Sequence, residues 1–209
     1  MKKVNELIKL PEVKTIFNLF NNNQGIYLVG GCIRDALSGK DVTDIDFAVD
    51  IDPEEVIKIL TNNNIKFYDI GINYGTVTAV IDSKNYEITS LREDIETDGR
   101  HAKVKYTSDI KADSLRRDFT INAIYANRDG ELFDFHNGIE DIENRKLKFI
   151  GSAIDRVKED YLRILRYFRF YADFSNFEID ANLKKVFKEG SKNFSKISKE
   201  RIWTELKKI

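Results

Sequence analysis

Hydrophobic spacing divides the start of the chain into a helix, a strand and a second helix. Apolar side chains recur at intervals of three and four over residues 4–20, which predicts a helix that ends in the polar run 21–25. The apolar run 26–29 predicts a buried strand. Two glycines follow that strand and predict a turn into a helix over 32–37.

Alternating polar and apolar positions predict the next strands. Residues 44–49 alternate with period two and indicate a strand, and an Asp-Pro start predicts a helix over 52–60. Segments 76–81 and 86–91 predict a hairpin. Residues 92–108 are polar and lack periodicity, so we expect a mobile loop there.

Helical spacing dominates the later residues. The mixed apolar spacing of 115–126 favours a helix, whereas 131–135 favours a small strand. From Ile154 onward the pattern predicts helices with breaks near 173–179 and 190–198.

The order of these elements predicts an α+β fold in two parts. Residues 1–147 form a part with a mixed sheet and flanking helices, and residues 148–209 form an all-helical part. A length of 209 residues suits one large domain or two small ones.

Composition excludes several classes of protein. The net charge of -1 excludes a uniformly basic coat for nucleic acid, although it permits a local basic face. A single cysteine, Cys32, excludes a disulfide framework and a cysteine-rich zinc site. No apolar run is long enough to span a bilayer, so we expect a cytoplasmic protein without a membrane partner.

Two carboxylates at 44 and 46 are a candidate metal site. Side chains two apart on a strand point the same way, so Asp44 and Asp46 place two like charges about 7 Å apart. Oxygen ligands of this kind suit Mg²⁺, which commonly combines one or two carboxylates with substrate phosphates. The alternative is a pair of exposed acids on a half-buried strand.

A glycine pair at a strand end is a candidate anion site. Backbone N–H groups at Gly30-Gly31 can approach an anion closely, and Arg34 can reach a triphosphate with a bidentate fork. The spacing does not match a dinucleotide-binding fingerprint. The alternative is a tight turn with a surface ion pair between Arg34 and Asp35.

Six segments in fixed order resemble a known family. The chain is similar to the head and neck of class II tRNA nucleotidyltransferases, the CCA-adding enzyme and poly(A) polymerase family, which shares its head with polymerase β. The matching segments are 27–35, 43–47, 87–92, 98–101, 116–123 and 159–169.

The resemblance implies roles for individual residues. Asp44 and Asp46 would bind the catalytic Mg²⁺, and Gly31, Arg34 and Arg117 would hold the incoming triphosphate. Guanidinium forks and backbone N–H groups suit a triphosphate. Glu87 on the hairpin strand would supply a third catalytic carboxylate, although a cross-strand ion pair is an equal alternative.

Asp160 and Arg163 are candidate readers of the nucleotide base. On one helix, residues three apart share a face and offer an acceptor beside a donor. Cytosine and adenine match that pattern, whereas guanine and uracil present the reverse and would leave buried polar groups unpaired. The resemblance implies this role, and Arg166 and Arg169 continue the nucleotide-binding stripe. The alternative is an amphipathic helix with an internal salt bridge.

The expected function is therefore Mg²⁺-dependent addition of C and A, from CTP and ATP, to the 3′ end of tRNA. Alternatives are a poly(A) polymerase or A-adding enzyme, and a non-catalytic RNA- or nucleotide-binding fragment. Family members usually continue as a helical body and tail that grip tRNA. The chain is thus expected to be a fragment, a small enzyme, or a half that needs a protein partner.

Overall fold

A mixed seven-stranded sheet lies at the centre of the fold. The structure is a computed structural model that describes residues 2–98, 101–174 and 177–208, and side chains outside 94–103. The strands in these residues are β1 Ile26–Val29, β2 Asp46–Val49, β3 Lys66–Tyr68, β4 Thr76–Ile81, β5 Lys84–Ser90, β6 Arg92–Asp98, β7 His101–Tyr106, β8 Ile124–Ala126 and β9 Leu132–Asp134.

Strand order brings β1, β2 and β5 together in the middle of the sheet. The order is β3-β4-β5-β2-β1-β8-β9, with β2 and β5 parallel and the other neighbours antiparallel. Strands β6 and β7 form a separate antiparallel pair.

Helices pack against the sheet and against one another. In the described residues they are α1 Lys2–Ile8, α2 Pro11–Leu19, α3 Gly31–Leu37, α4 Pro53–Asn62, α5 Ile110–Leu115, α6 Gly138–Glu143, α7 Ala153–Glu159, α8 Leu162–Phe174, α9 Ala181–Ser191 and α10 Lys199–Leu206. Helix α3 contacts β1 and β8, and α8 contacts α7, α9 and α10. The expected α+β fold is confirmed.

The predicted opening helix is in fact two helices. Helix α1 ends at Ile8 and α2 begins at Pro11. Proline lacks an N–H and suits the first helical position, where that group would have no partner. The apolar spacing continues through the break because Val4, Val13 and Ile16 all face the core.

Two other predictions are wrong in secondary structure. Most of 92–108 forms strands β6 and β7, with a bulge between Asp94 and Glu96, rather than a loop. A largely polar ribbon shows no apolar period in its sequence, although the backbones of its two strands pair with each other. Residues 115–126 include the end of α5 and strand β8, not one long helix. Strand β8 is buried on both faces between β1 and β9, so its apolar run lacks a period of two.

One hydrophobic core extends from the sheet into the helices of the second half. Phe47 and Ile88 from the sheet belong to the same buried cluster as Ile164, Tyr167 and Phe170 from α8. The division at residue 147 therefore stays a prediction. None of the helices that the structure describes is long and apolar enough to cross a membrane.

Candidate active site

A cavity of about 610 Å³ opens where β1 ends and β2 begins. It collects residues from distant parts of the chain, and it carries seven cationic and five acidic side chains. This surplus of positive charge favours a polyanionic ligand. Its lining comprises Gly30, Gly31, Arg34, Asp35, Thr43, Asp44, Asp46, Arg116, Arg117, Asp118, Asn122, Asp160, Arg163, Arg166, Arg169, Phe170 and Lys208.

The cavity brings together every predicted site residue except Glu87. That residue lies on β5, where it is exposed and sits directly opposite Asp46 in the parallel pairing with β2. Asp46 is the first residue of β2, whereas Asp44 precedes the strand. The argument that a strand aligns both side chains is thus wrong for Asp44, although the cavity wall includes both residues.

Concentrated negative charge distinguishes the Asp46 end of the cavity. Burial, and then the carboxylates of Glu87 and Asp44, raise the pKa of Asp46 to about 6. A bound cation would remove this penalty, so the donor set fits a hard divalent ion such as Mg²⁺. In the described part of the chain no three His, Cys, Asp or Glu side chains form a complete metal-binding group. Two carboxylates would therefore share the ion with phosphate oxygens and water.

We expect Asp46→Asn to stabilise the metal-free protein at neutral pH. The pKa of Asp46 is raised on folding, so its ionisation costs stability as the pH rises from about 4 through 6. Asparagine removes that cost, about 1–3 kcal/mol. Denaturation in a chelator should show the gain at pH 8 and its loss at pH 4. An equal gain at both pH values would contradict the electrostatic explanation, and Asp41→Asn is the matched exposed control.

The glycine turn brings backbone close to two guanidinium groups. Gly30 has φ +76°, a left-handed conformation that favours glycine, and a Cβ there would lie 3.6 Å from Arg117 Nη1. A Cβ on Gly31 would lie 3.6 Å from Arg34 Nη2. A side chain at either glycine would thus occupy the space between the turn and the guanidinium groups of Arg34 and Arg117.

Arg34 is held at the cavity wall by three contacts. Its Nε and Nη2 donate to the Asp35 carboxylate at 2.9 Å each, and its Nη1 donates to Asn122 Oδ1 at 2.7 Å. The guanidinium carbon lies 4.8 Å from the centre of the Phe170 ring. These contacts fix the orientation of the Arg34 guanidinium. They also show that the ion pair between Arg34 and Asp35, which the sequence offered as the alternative, is present.

A buried carboxylate, Asp113, holds Arg117 in place. Asp113 accepts hydrogen bonds from Arg116, Arg117 and the Tyr125 hydroxyl at 2.8, 3.0 and 2.7 Å. Burial alone would raise the pKa of Asp113, but Arg117 and Arg116 outweigh it and lower the pKa to about 2. Sequence reasoning missed Asp113, because an acid at i−4 from an arginine is common on solvated helices.

Asp118 anchors the next guanidinium in the same way. Its Oδ2 accepts from Arg166 Nε at 2.6 Å, and its Oδ1 accepts from Asn122 at 3.2 Å. Burial opposes ionisation, but the charge of Arg166 dominates and lowers the pKa of Asp118. Asn122 therefore links Arg34 to Arg166 through Asp118.

Asp160 and Arg163, the predicted base-reading pair, do not lie on one helix. Helix α7 ends at Glu159 and α8 begins at Leu162, so Asp160 lies in the turn with φ -153°. The prediction that Asp160 and Arg163 share a helix face is therefore wrong, because the chain bends between them. Both residues nevertheless line the cavity.

Other residues hold this pair in position. Arg163 Nη1 contacts Glu159 Oε2 at 2.6 Å. Asp160 Oδ2 accepts from Arg201 on α10 at 2.7 Å. In the described structure Asp160 and Arg163 thus each contact a partner outside the pair.

Helix α10 holds the arginines on this side of the cavity. One turn beyond Arg201, the buried Glu205 places Oε1 3.0 Å from Arg169 Nε and Oε2 3.9 Å from Arg166. Burial, and then the neighbouring cations Arg166 and Arg34, lower the pKa of Arg169 despite Glu205. The crowded guanidinium groups favour an added anion. Sequence reasoning missed Arg201 and Glu205, although their spacing of four places them on one helix face.

Residues 26–148 match the poly A polymerase head domain. The chain belongs to that family. It is 43% identical to the mitochondrial CCA tRNA nucleotidyltransferase 1 of Danio rerio, over 97% of this chain and 50% of the relative.

Solved structures resemble the whole described fold. A crystal structure of the Bacillus stearothermophilus CCA-adding enzyme in complex with CTP has a TM-score of 0.81 at 30% identity, over 95% of this chain and 48% of that one. A tRNA nucleotidyltransferase complexed with a primer tRNA and an incoming ATP analog has a TM-score of 0.69 at 27% identity, over 88% and 52% of the chains. The chain therefore spans about half the length of the relatives it matches.

Proposed function

We propose that this chain is a nucleotidyltransferase that adds C and A, from CTP and ATP, to the 3′ end of tRNA. The observation that carries the proposal is one cavity that joins two acidic residues, Asp44 and Asp46, to a cluster of guanidinium groups. The relatives named for CCA addition, and the structure with CTP, support the choice of nucleotides and RNA.

The cationic side of the cavity would bind the triphosphate. Arg34 and Arg117 are already oriented by Asp35 and Asp113, so little side-chain freedom is lost when phosphate oxygens bind. The backbone of Gly31 lies beside them and can approach the phosphates without steric hindrance.

The acidic side would hold Mg²⁺ through Asp44 and Asp46. When bound, the ion would supply charge stabilisation for the transferring phosphoryl group and the leaving pyrophosphate. Glu87, directly across from Asp46, would support this acidic site or accept the proton of the RNA 3′-hydroxyl.

A primer-extension assay tests the function. RNA transcripts that end at the discriminator base, and others that end after CC, are incubated with Mg²⁺ and one nucleotide at a time. CTP alone should add C and C to the first transcript, ATP alone should add one A to the second, and each reaction should then stop. Addition of A to the CC end without any addition of C would identify an A-adding enzyme, and a long A ladder a poly(A) polymerase. No addition by a chain that still binds CTP would mean that a partner must supply a further tRNA-binding segment.

Asp160→Ala should reduce base discrimination more than it weakens triphosphate binding. A lost acceptor leaves the cytosine or adenine amino group unpaired, so preference for CTP over UTP and ATP over GTP should fall about 10- to 100-fold. Ratios of kcat/KM for the four nucleotides measure this. Equal losses for all four would contradict base reading, and Asp155→Ala on the exposed face of α7 is the control.

Arg201→Ala should shift discrimination in the same direction by a smaller factor. Its guanidinium contacts Asp160 but is no part of the expected pair, so it acts by positioning that carboxylate. Arg201→Lys should restore part of the preference, which a purely structural loss would not do.

A further inference from the structure

Two cavities continue from the active site along the outside of the helical half. The smaller, about 140 Å³, shares Asp160 with the active-site cavity. The larger, about 400 Å³, lies between α7 and α9 and shares Lys158 and Tyr161 with the smaller one. The shared residues make a continuous surface, called here the helical groove.

We infer that the helical groove binds an unpaired strand of the RNA substrate upstream of its growing 3′ end. The inference rests on the proposed function, which supplies RNA as the substrate. It assigns a binding surface to residues that the proposed chemistry does not use, chiefly Lys158, Tyr161, Lys185 and Lys196.

Charge is distributed unevenly between the two halves of the chain. Residues 148–209 contain 15 Lys and Arg against nine Asp and Glu, a net charge of +6. Residues 1–147 contain 19 against 26, a net charge of -7. A polyanion is therefore drawn to the helical half rather than to the sheet.

The cations of the groove are not neutralised by neighbouring acids. Its carboxylates are already occupied, since Glu159 pairs with Arg156 and Arg163, and Glu189 pairs with Lys192. Lys158, Lys185 and Lys196 form no ion pair with any residue that the structure describes. Three such ammonium groups around one groove suit the phosphates of a backbone.

An aromatic wall and an apolar floor provide a place for a base. The half-buried Tyr161 forms a wall of both cavities, and Lys196 Nζ lies 5.7 Å from its ring centre. Ile154, Val157 and Val186 line the larger cavity beside it. Lysines together with an aromatic platform are how proteins bind single strands with little sequence preference.

Removing the three lysines tests the phosphate contacts. The variant K158Q/K185Q/K196Q is compared with K14Q/K58Q/K66Q, which changes the charge equally at exposed positions of the sheet half. The probe is a labelled single-stranded RNA ending in CC, without nucleotide or Mg²⁺. The slope of log affinity against log salt should fall by about 2 in the first variant only. Equal slopes in both variants would overturn the inference.

Tyr161 tests the stacking contact. Tyr161→Leu should weaken RNA binding about 5- to 100-fold, while Tyr161→Phe keeps the ring and the affinity. Tyr68→Leu is the control, because Tyr68 lies in the sheet half and its ring also has a lysine beside it, Lys66 Nζ at 5.4 Å from the ring centre. Loss of binding in the phenylalanine variant, or none in the leucine variant, would overturn the stacking role.

A photocrosslinker distinguishes RNA from a protein in the groove. A benzophenone amino acid in place of Ile154, which is 49% exposed, should form an RNA adduct, whereas the same group at Ile70, 89% exposed, should not. A dimeric adduct without any RNA adduct would instead assign the groove to a second copy of the chain.

Failure of the inference and failure of the proposed function are separable. If wild-type protein incorporates nucleotides and the two triple variants bind RNA alike, the groove is wrong and the function stands. If wild-type protein neither binds CTP nor incorporates nucleotides while only the groove variants lose RNA binding, the groove stands and the function is wrong.

Discussion

Replacing both Asp44 and Asp46 by alanine should reduce nucleotide incorporation at least about 1,000-fold, which corresponds to about 4 kcal/mol of transition-state stabilisation. The two side chains line the acidic side of the cavity, whereas the arginines proposed to bind the triphosphate lie on other elements that line it. CTP binding should therefore remain measurable. Single-turnover incorporation and equilibrium nucleotide binding, measured on the same variant, separate the two effects.

The control for this experiment is a nearby exposed carboxylate. Asp41 lies in the same segment before β2, and its side chain is fully exposed with Lys3 Nζ 3.9 Å away. Asp41→Ala should keep normal incorporation because an exposed pair of this kind contributes little. Activity that survives the double change would show that Asp44 and Asp46 are not the metal ligands.

Asp113→Asn should cause the largest loss of stability, about 3–5 kcal/mol. The change leaves the guanidinium groups of Arg116 and Arg117 without a buried anion, and it turns one of the two acceptor oxygens at residue 113 into an NH₂ donor, so the donors on that side lose their acceptor. For a chain of this size the midpoint of thermal unfolding should fall by about 10 °C. Thermal and urea denaturation at neutral pH measure the loss.

The same carboxylate should control part of the acid sensitivity. Because folding lowers the pKa of Asp113 to about 2, its stabilisation is complete above about pH 4 and is lost as the pH falls through 2. The amount is about 2 kcal/mol, and it should be missing from the acid limb of Asp113→Asn.

Asp109→Asn is the matched control for Asp113. It caps the same helix, α5, by accepting from the Lys111 N–H at 2.7 Å, and it is exposed. Because asparagine also caps helices well, its cost should be small. If the two variants lose equal stability, the buried ion network is not what stabilises this part of the fold.

The local spacing of apolar and turn residues predicts much of the fold. Four-residue strand β1, the glycine turn after it and the hairpin of β4 and β5 follow from apolar runs and turn residues that are contiguous in sequence. The predicted breaks near 173–179 and 190–198 match the connections between α8 and α9 and between α9 and α10. Errors arose where pairing partners, rather than the segment itself, decide the structure, as in β8 between β1 and β9.

The sequence by itself determined which chemical groups are available and much of the local structure around them. Asp44, Asp46, Arg34 and Arg117 were identifiable because each lies in a short segment with a recognisable order. The tertiary structure alone decided which other side chains contact and orient the site residues. Asp160 meets Arg201 across 41 residues of sequence, and that contact depends on how α10 packs against α8. The spacing of residues in the sequence shows which side chains are neighbours on one helix or strand. The energy of an ion pair instead depends on which charged groups the packing of different elements brings within about 3 Å of each other.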